Sequence, residues 1–130
     1  MTLLTREQVI KAERFEMVEV DVTEWGAIDS ETGKPEKTTV FVRELTAREK
    51  DDFEASLVQQ RGRKQVTNLV DMRARMAVLV CCDESRLPIF RKEDVEWLTK
   101  KSSRPLTRIY KAATELNDLD SEGDIETLKN

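Results

Sequence analysis

The chain has 130 residues, 38% of them apolar and 37% charged, with a formal net charge of −4. That length fits one domain with one modest core, and the heavy charge leaves little apolar sequence for a second. The acidic balance argues against a nucleic-acid partner, which needs a concentrated positive face. Histidine is absent, which removes the commonest general base and the commonest metal ligand.

The start of the chain, MTLLTREQVIKAERF, has no signal-peptide pattern, and no apolar run is long enough to cross a bilayer. Thr5 with Gln8 forms a T-x-x-Q capping box that opens a helix over Thr5 to Phe15, with Val9, Ile10 and Ala12 as an apolar patch. From Glu16 to Trp25, Val18, Val20 and Val22 alternate with Glu19, Asp21 and Thr23. A period of two predicts a half-buried strand, with Trp25 continuing its apolar side until Gly26. Residues 27 to 37 hold Gly33 and Pro35 and are expected to form a mobile polar loop. Thr38 to Leu45 reads as a second strand, paired with the first as an antiparallel hairpin.

Thr46 and Glu49 form a second capping box, T-x-x-E, opening a helix that carries Phe53, Ser56, Leu57 and Gln60 on one side and stops near Gly62. A further helix starts at Asn68 and Asp71. Its Leu69, Met72, Met76, Leu79 and Val80 follow helical spacing and form the most apolar stretch, so the core is placed there. Residues 83 to 90 should form a turn and a short extended piece ending at Ile89 and Phe90. Lys92 to Lys101 is a short helix with Val95 and Leu98 inward. Ser103 and Pro105 open another helix, with Leu106, Ile109, Tyr110, Ala113 and Leu116 inward. The acidic tail, about 117–130, is expected to fray, with Ser121 and Asp124 capping a last turn that carries Ile125 and Leu128. The fold class is therefore α+β and mostly α: one domain spanning 1–130, with a small antiparallel β-hairpin packed against four to five helices.

Chemistry is sparse. The carboxylate pairs Asp51–Asp52 and Glu93–Asp94 lie near helix starts, where they favour the helix dipole and stay solvated. Cys81 and Cys82, read as helical, point about 100° apart and cannot readily share an ion, so they are taken as reduced core thiols. No S-x-x-K, C-x-x-C or glycine-rich phosphate loop occurs. The basic run Arg61, Arg63 and Lys64 reads as a solvated loop, and Arg73 and Arg75 as side chains that snorkel from the apolar helix. No catalytic residue, metal ligand or cofactor site is predicted. Trp25 and Trp97 stand out for partner contact, because tryptophan is enriched at interaction hot spots. With Phe53 and Leu57 they make up the candidate binding residues.

The order of segments resembles the tail assembly chaperone family of long-tailed phages and prophages. It is carried by the strand-to-cap passage Val42-Arg43-Glu44-Leu45-Thr46, the passage from Phe90 to Leu98, and the ending from Leu116 to Glu122. Arg91 departs from the pattern, where a small capping residue is usual. The resemblance implies a non-enzymatic protein that binds and solubilises the tape measure protein during tail morphogenesis. It further implies a homo-oligomer acting in the host cytoplasm and absent from the mature virion. The family pattern adds a longer, frameshifted form of the chain and the tail tube protein as further partners, with no nucleic acid and no membrane. A small structural tail or connector protein of the virion is the alternative.

Overall fold

The computed structural model describes residues 1–119. Five α-helices and five strands occur among them. Strand β1 (Met17–Asp21) pairs antiparallel with β2 (Thr39–Arg43), in the register Met17 opposite Arg43 and Asp21 opposite Thr39. This is the expected hairpin. The sequence did not disclose the third strand, β5 (Cys81–Cys82), which pairs with the far side of β2 to give the order β1-β2-β5. The two cysteines, read above as helical, instead form a short, buried strand at the edge of the sheet. Adjacent strand residues face opposite ways, and both thiols are nevertheless buried.

Helix α3 (Met72–Val80) and helix α5 (Ser103–Leu116) cover one face of this sheet. Val20 and Val22 point into that layer, as their alternation requires, whereas Val18, the third valine of the pattern, is exposed near the start of β1. Val42, Met76 and Ile109 are fully buried there, each such side chain stabilising by about 1.5–3 kcal/mol relative to exposure. Trp25 does not continue the strand parity. After Asp21 the chain tightens into a 3-10 turn over Thr23–Trp25, which swings the indole toward the end of the hairpin. The connection from 27 to 37 is built rather than open. Ile28 and Pro35 form a β-bridge, and Gly33, at φ 72°, turns the chain and donates to the Asp29 carbonyl at 2.8 Å.

Helix α1 (Arg6–Lys11) has the predicted capping box, Thr5 and Gln8 each accepting the other's backbone N–H. It buries none of its own residues. Helix α2 (Ala47–Ser56) opens on the predicted Thr46–Glu49 box but ends earlier than expected. The basic stretch after it is a second hairpin, β3 (Val58–Arg61) with β4 (Lys64–Thr67). Gly62, at φ 63°, allows its two-residue turn. Helix α3 begins at Met72, one turn later than read, because Asn68 accepts from Val70 N–H and Asp71 adopts a left-handed conformation. Arg75 does more than snorkel: it donates to Ser56 Oγ and the Asn68 carbonyl, tying the end of α2 to the start of this segment.

The segment read as one helix over 92–101 is a 3-10 turn (Lys92–Asp94) running into a single turn, α4 (Val95–Leu98). Beyond α5 the tail does not fray at once. Asn117 is buried, accepts from Leu45 N–H at 2.7 Å and donates to the Ala113 carbonyl at 3.0 Å, and Leu119 packs into the core. The predicted cap at Ser121 and Asp124, with Ile125 and Leu128, lies outside the described residues.

Candidate functional site

Three aromatic rings gather at the end of the hairpin. Trp25 comes from the 3-10 turn after β1, Phe90 from the extended piece after β5, and Trp97 from α4. Trp25 and Phe90 meet edge to face at 6.4 Å, and Phe90 and Trp97 do the same at 6.1 Å. Such pairs contribute about 0.5–1.5 kcal/mol beyond their area. Together with Val40, Ile89 and Leu98 they line an open groove of about 630 Å³.

The groove's walls are held by polar contacts at its rim. Asp94 accepts from Arg91 N–H and from Trp97 Nε1, both at 2.8 Å, which starts the turn and fixes the indole. These two donors hold the Asp94 carboxyl below its ordinary pKa. The departure at Arg91 is thereby offset: Asp94 completes one half of a capping box from the other side. Lys101 stands 6.0 Å above the Trp97 ring. On the opposite rim Arg108 donates to both Glu24 carboxylate oxygens and to the Asp21 carbonyl, pinning α5 to the 3-10 turn. The bond from Arg108 lowers the pKa of Glu24.

The exposures around the groove are uneven. Trp97 is 43% exposed and Ile89 50%, so a binding partner would meet them directly. Trp25 is half-buried, and its Nε1–H has no hydrogen-bond partner among the described residues. Phe53 and Leu57 lie elsewhere, in the core beneath α2. Phe53 borders a second groove, of about 520 Å³, on the other side of Phe90 beside Val78, Leu79 and Val95. The Arg43–Glu49 ion pair lines it. The structure therefore brings together two of the four candidate residues, Trp25 and Trp97, and makes the other two part of the core. Sequence reasoning missed Phe90, which both grooves share, and Ile89. The available signal was an apolar pair directly after Pro88, a place where a turn would ordinarily be polar.

The groove offers indole, phenyl and aliphatic surface, with Glu24, Thr38, Thr39, Lys101 and Ser102 also lining it, which suits an apolar stripe flanked by polar groups. Among the described residues no group of three or more Cys, Asp and Glu is placed to hold a metal ion, and no helix is long and apolar enough to cross a membrane.

The sheet, its two covering helices and this surface groove define a small, mostly α, α+β domain whose concave feature is open rather than enclosed. The bacteriophage HK97 tail assembly chaperone has a similar fold, with a TM-score of 0.52, 18% sequence identity, and coverage of 88% of this chain and 95% of that one. The chain has, in short, the fold of a phage tail assembly chaperone. No protein-family model and no curated protein matches it.

Proposed function

We propose that this chain is a non-enzymatic tail assembly chaperone that binds and solubilises a tape measure protein while a phage tail is built. The single observation that carries the reading is the fold shared with the HK97 chaperone over nearly the full length of both chains. The aromatic groove supplies the physics. A tape measure protein is a long helical polymer with apolar stripes. A small protein with an open apolar groove can cover it by many weak contacts, and repetition along one polymer turns modest affinities into firm coverage. The acidic, highly charged remainder of the surface keeps the free chaperone in solution. Site of action in this reading is the host cytoplasm, before the virion is complete.

The test is co-expression with the tape measure protein of the same genome. The wild-type chain should raise its soluble fraction, and Trp97→Asp with Ile89→Asp should abolish that gain while the variant stays folded. A tape measure protein equally insoluble with and without the wild-type chain rejects the reading. Stoichiometric recovery of the chain from purified virions would favour a structural tail subunit instead.

A further inference from the structure

The second groove, across Phe90 from the aromatic one, holds chemistry that the chaperone reading leaves unused. Phe53 on α2, Val78 and Leu79 on α3, Phe90, and Val95 on α4 give it an apolar lining. Arg75 also lines it, and its guanidinium meets only uncharged acceptors. Nη1 donates to Ser56 Oγ at 3.0 Å and Nη2 to the Asn68 carbonyl at 3.2 Å. Its Nε–H is buried with no hydrogen-bond partner among the described residues. Arg43, in the same groove, is by contrast paired with Glu49. A buried guanidinium donor is costly to leave unpaired, and a carboxylate is its strongest acceptor. Lys92 adds a second cation, but Asp52 lines the same groove, and Glu93, Asp94 and Glu96 follow Lys92. Near Arg75 the next charges in sequence, Asp71 and Arg73, offset each other. A carboxylate is therefore favoured at the Arg75 end and not along the whole groove.

We propose that the chain's own C-terminal segment, residues 120–130, docks in this second groove. The chain arrives beside it. Asn117 Nδ2 donates to the Arg43 carbonyl at 3.4 Å, and Lys50 Nζ donates to the Asp118 carbonyl at 3.5 Å. Arg43 and Glu49, the neighbour of Lys50, both line the groove, so the segment after Leu119 starts where α2 begins. Ser56 and Arg75 mark the other end, one helix of 10 residues away, which is about 15 Å. An extended chain covers that distance in about five residues. Asp124 is then brought to Arg75, with Ile125 and Leu128 beside Val78 and Leu79, one turn further along α3. The sequence has the required character: Asp120, Glu122, Asp124 and Glu126 come without a Lys or Arg before Lys129, and Ile125 and Leu128 are the apolar residues among them. Because groove and segment share one chain, the effective concentration is on the order of millimolar and a weak contact suffices. Phe90 lines both grooves, so the docked segment braces a wall of the aromatic groove without filling it.

The experiment is amide NMR of the full-length chain across a dilution series. Wild type is compared with the double variant Ile125→Asp with Leu128→Asp, and with Asp124→Lys. Both variants leave residues 1–119 unchanged. The ratio of docked to undocked segment should fall on the order of a hundredfold or more in the double variant. The amide signals of Ser56, Leu79 and Phe90 should move in both variants toward one common set of positions, that of the empty groove, at every concentration. Signals identical in wild type and both variants overturn the proposal. Changes confined to the indole signals of Trp25 and Trp97 also overturn it, since they put the segment in the other groove. So do differences that vanish on dilution, which place the segment on a second copy. A response to the double variant with none to Asp124→Lys overturns the pairing with Arg75. No client enters the experiment, so this contact and the chaperone reading stand or fall separately.

Discussion

Glu49 joins two devices that the sequence shows separately. As the third residue of α2 it accepts from Thr46 N–H at 3.0 Å and closes the capping box. The same carboxylate takes two bonds from Arg43 on β2, Nη1 at 2.9 Å and Nη2 at 2.6 Å. The Arg43 bonds, aided by Thr46, lower its pKa from 4.5 to about 2. A shift of that size corresponds to about 3 kcal/mol of preference for the ionised form in the folded state. Some 31% of the Glu49 side chain remains exposed, so solvent screening reduces the contribution to about 1–2 kcal/mol. Because the folded pKa is the lower one, this stability is fully present above pH 4.5 and is lost as pH falls toward 2. Glu49→Gln keeps an acceptor for the cap and removes the charge. It should cost about 1–2 kcal/mol at pH 7 in urea unfolding, a fall in Tm of roughly 3–8 °C. More than half of the difference from wild type should disappear by pH 3. A variant that is neutral at pH 7, or a difference that is unchanged at pH 3, would refute the assignment of this pair as the link between α2 and the sheet.

Three further outcomes follow from the same geometry. Asn117→Ala strands the buried Leu45 N–H and should destabilise the fold by about 2–3 kcal/mol, read by urea denaturation. Asp83 accepts from Ser85 and Leu87 N–H at 2.8 and 2.9 Å. Asp83→Ala should therefore loosen the turn that leads to Phe90 and weaken the near-ultraviolet circular dichroism of the aromatic cluster, with far-ultraviolet signal unchanged. Burial pushes the Cys81 thiol up to about 12 and raises Cys82 as well. Both should resist a thiol reagent at pH 8 in the native state and react once the chain is unfolded; rapid labelling of the folded protein would contradict the buried β5.

What the sequence revealed was what local physics determines. Both capping boxes, the valine alternation of β1 and the apolar face of α5 are set by neighbours three or four residues apart, or by parity. The misreadings occur where tertiary context overrides that pattern. Val80-Cys81-Cys82 looks helical because it is uniformly apolar, yet a fully buried strand is also uniformly apolar, and only pairing with β2 decides between them. The run from Val58 to Thr67 has a weak strand pattern, and its hairpin is visible chiefly through Gly62 at positive φ. Trp25 and Trp97 were legible as candidates from their scarcity. Their proximity was not, because they lie 72 positions apart in the sequence and meet only through Phe90.

The groove is a consequence of how the sheet edge is closed. β5 would leave an unpaired edge, a liability in any sheet. The chain closes it by returning on itself: Cys82 bridges to Pro88, and Ile89 N–H donates to the Cys81 carbonyl at 3.1 Å. A proline is tolerated there because an edge position does not need its missing donor. That return leaves Ile89 at the surface and sends Phe90 between the two tryptophans, so the covering of an edge and the exposure of an apolar site are one structural event. Asp94 then fixes Trp97 against Phe90, while Arg108 fixes the turn that carries Trp25. Both tryptophan walls of the groove are thus held before any partner arrives, and a pre-organised surface of this kind spends little of its contact energy on ordering itself.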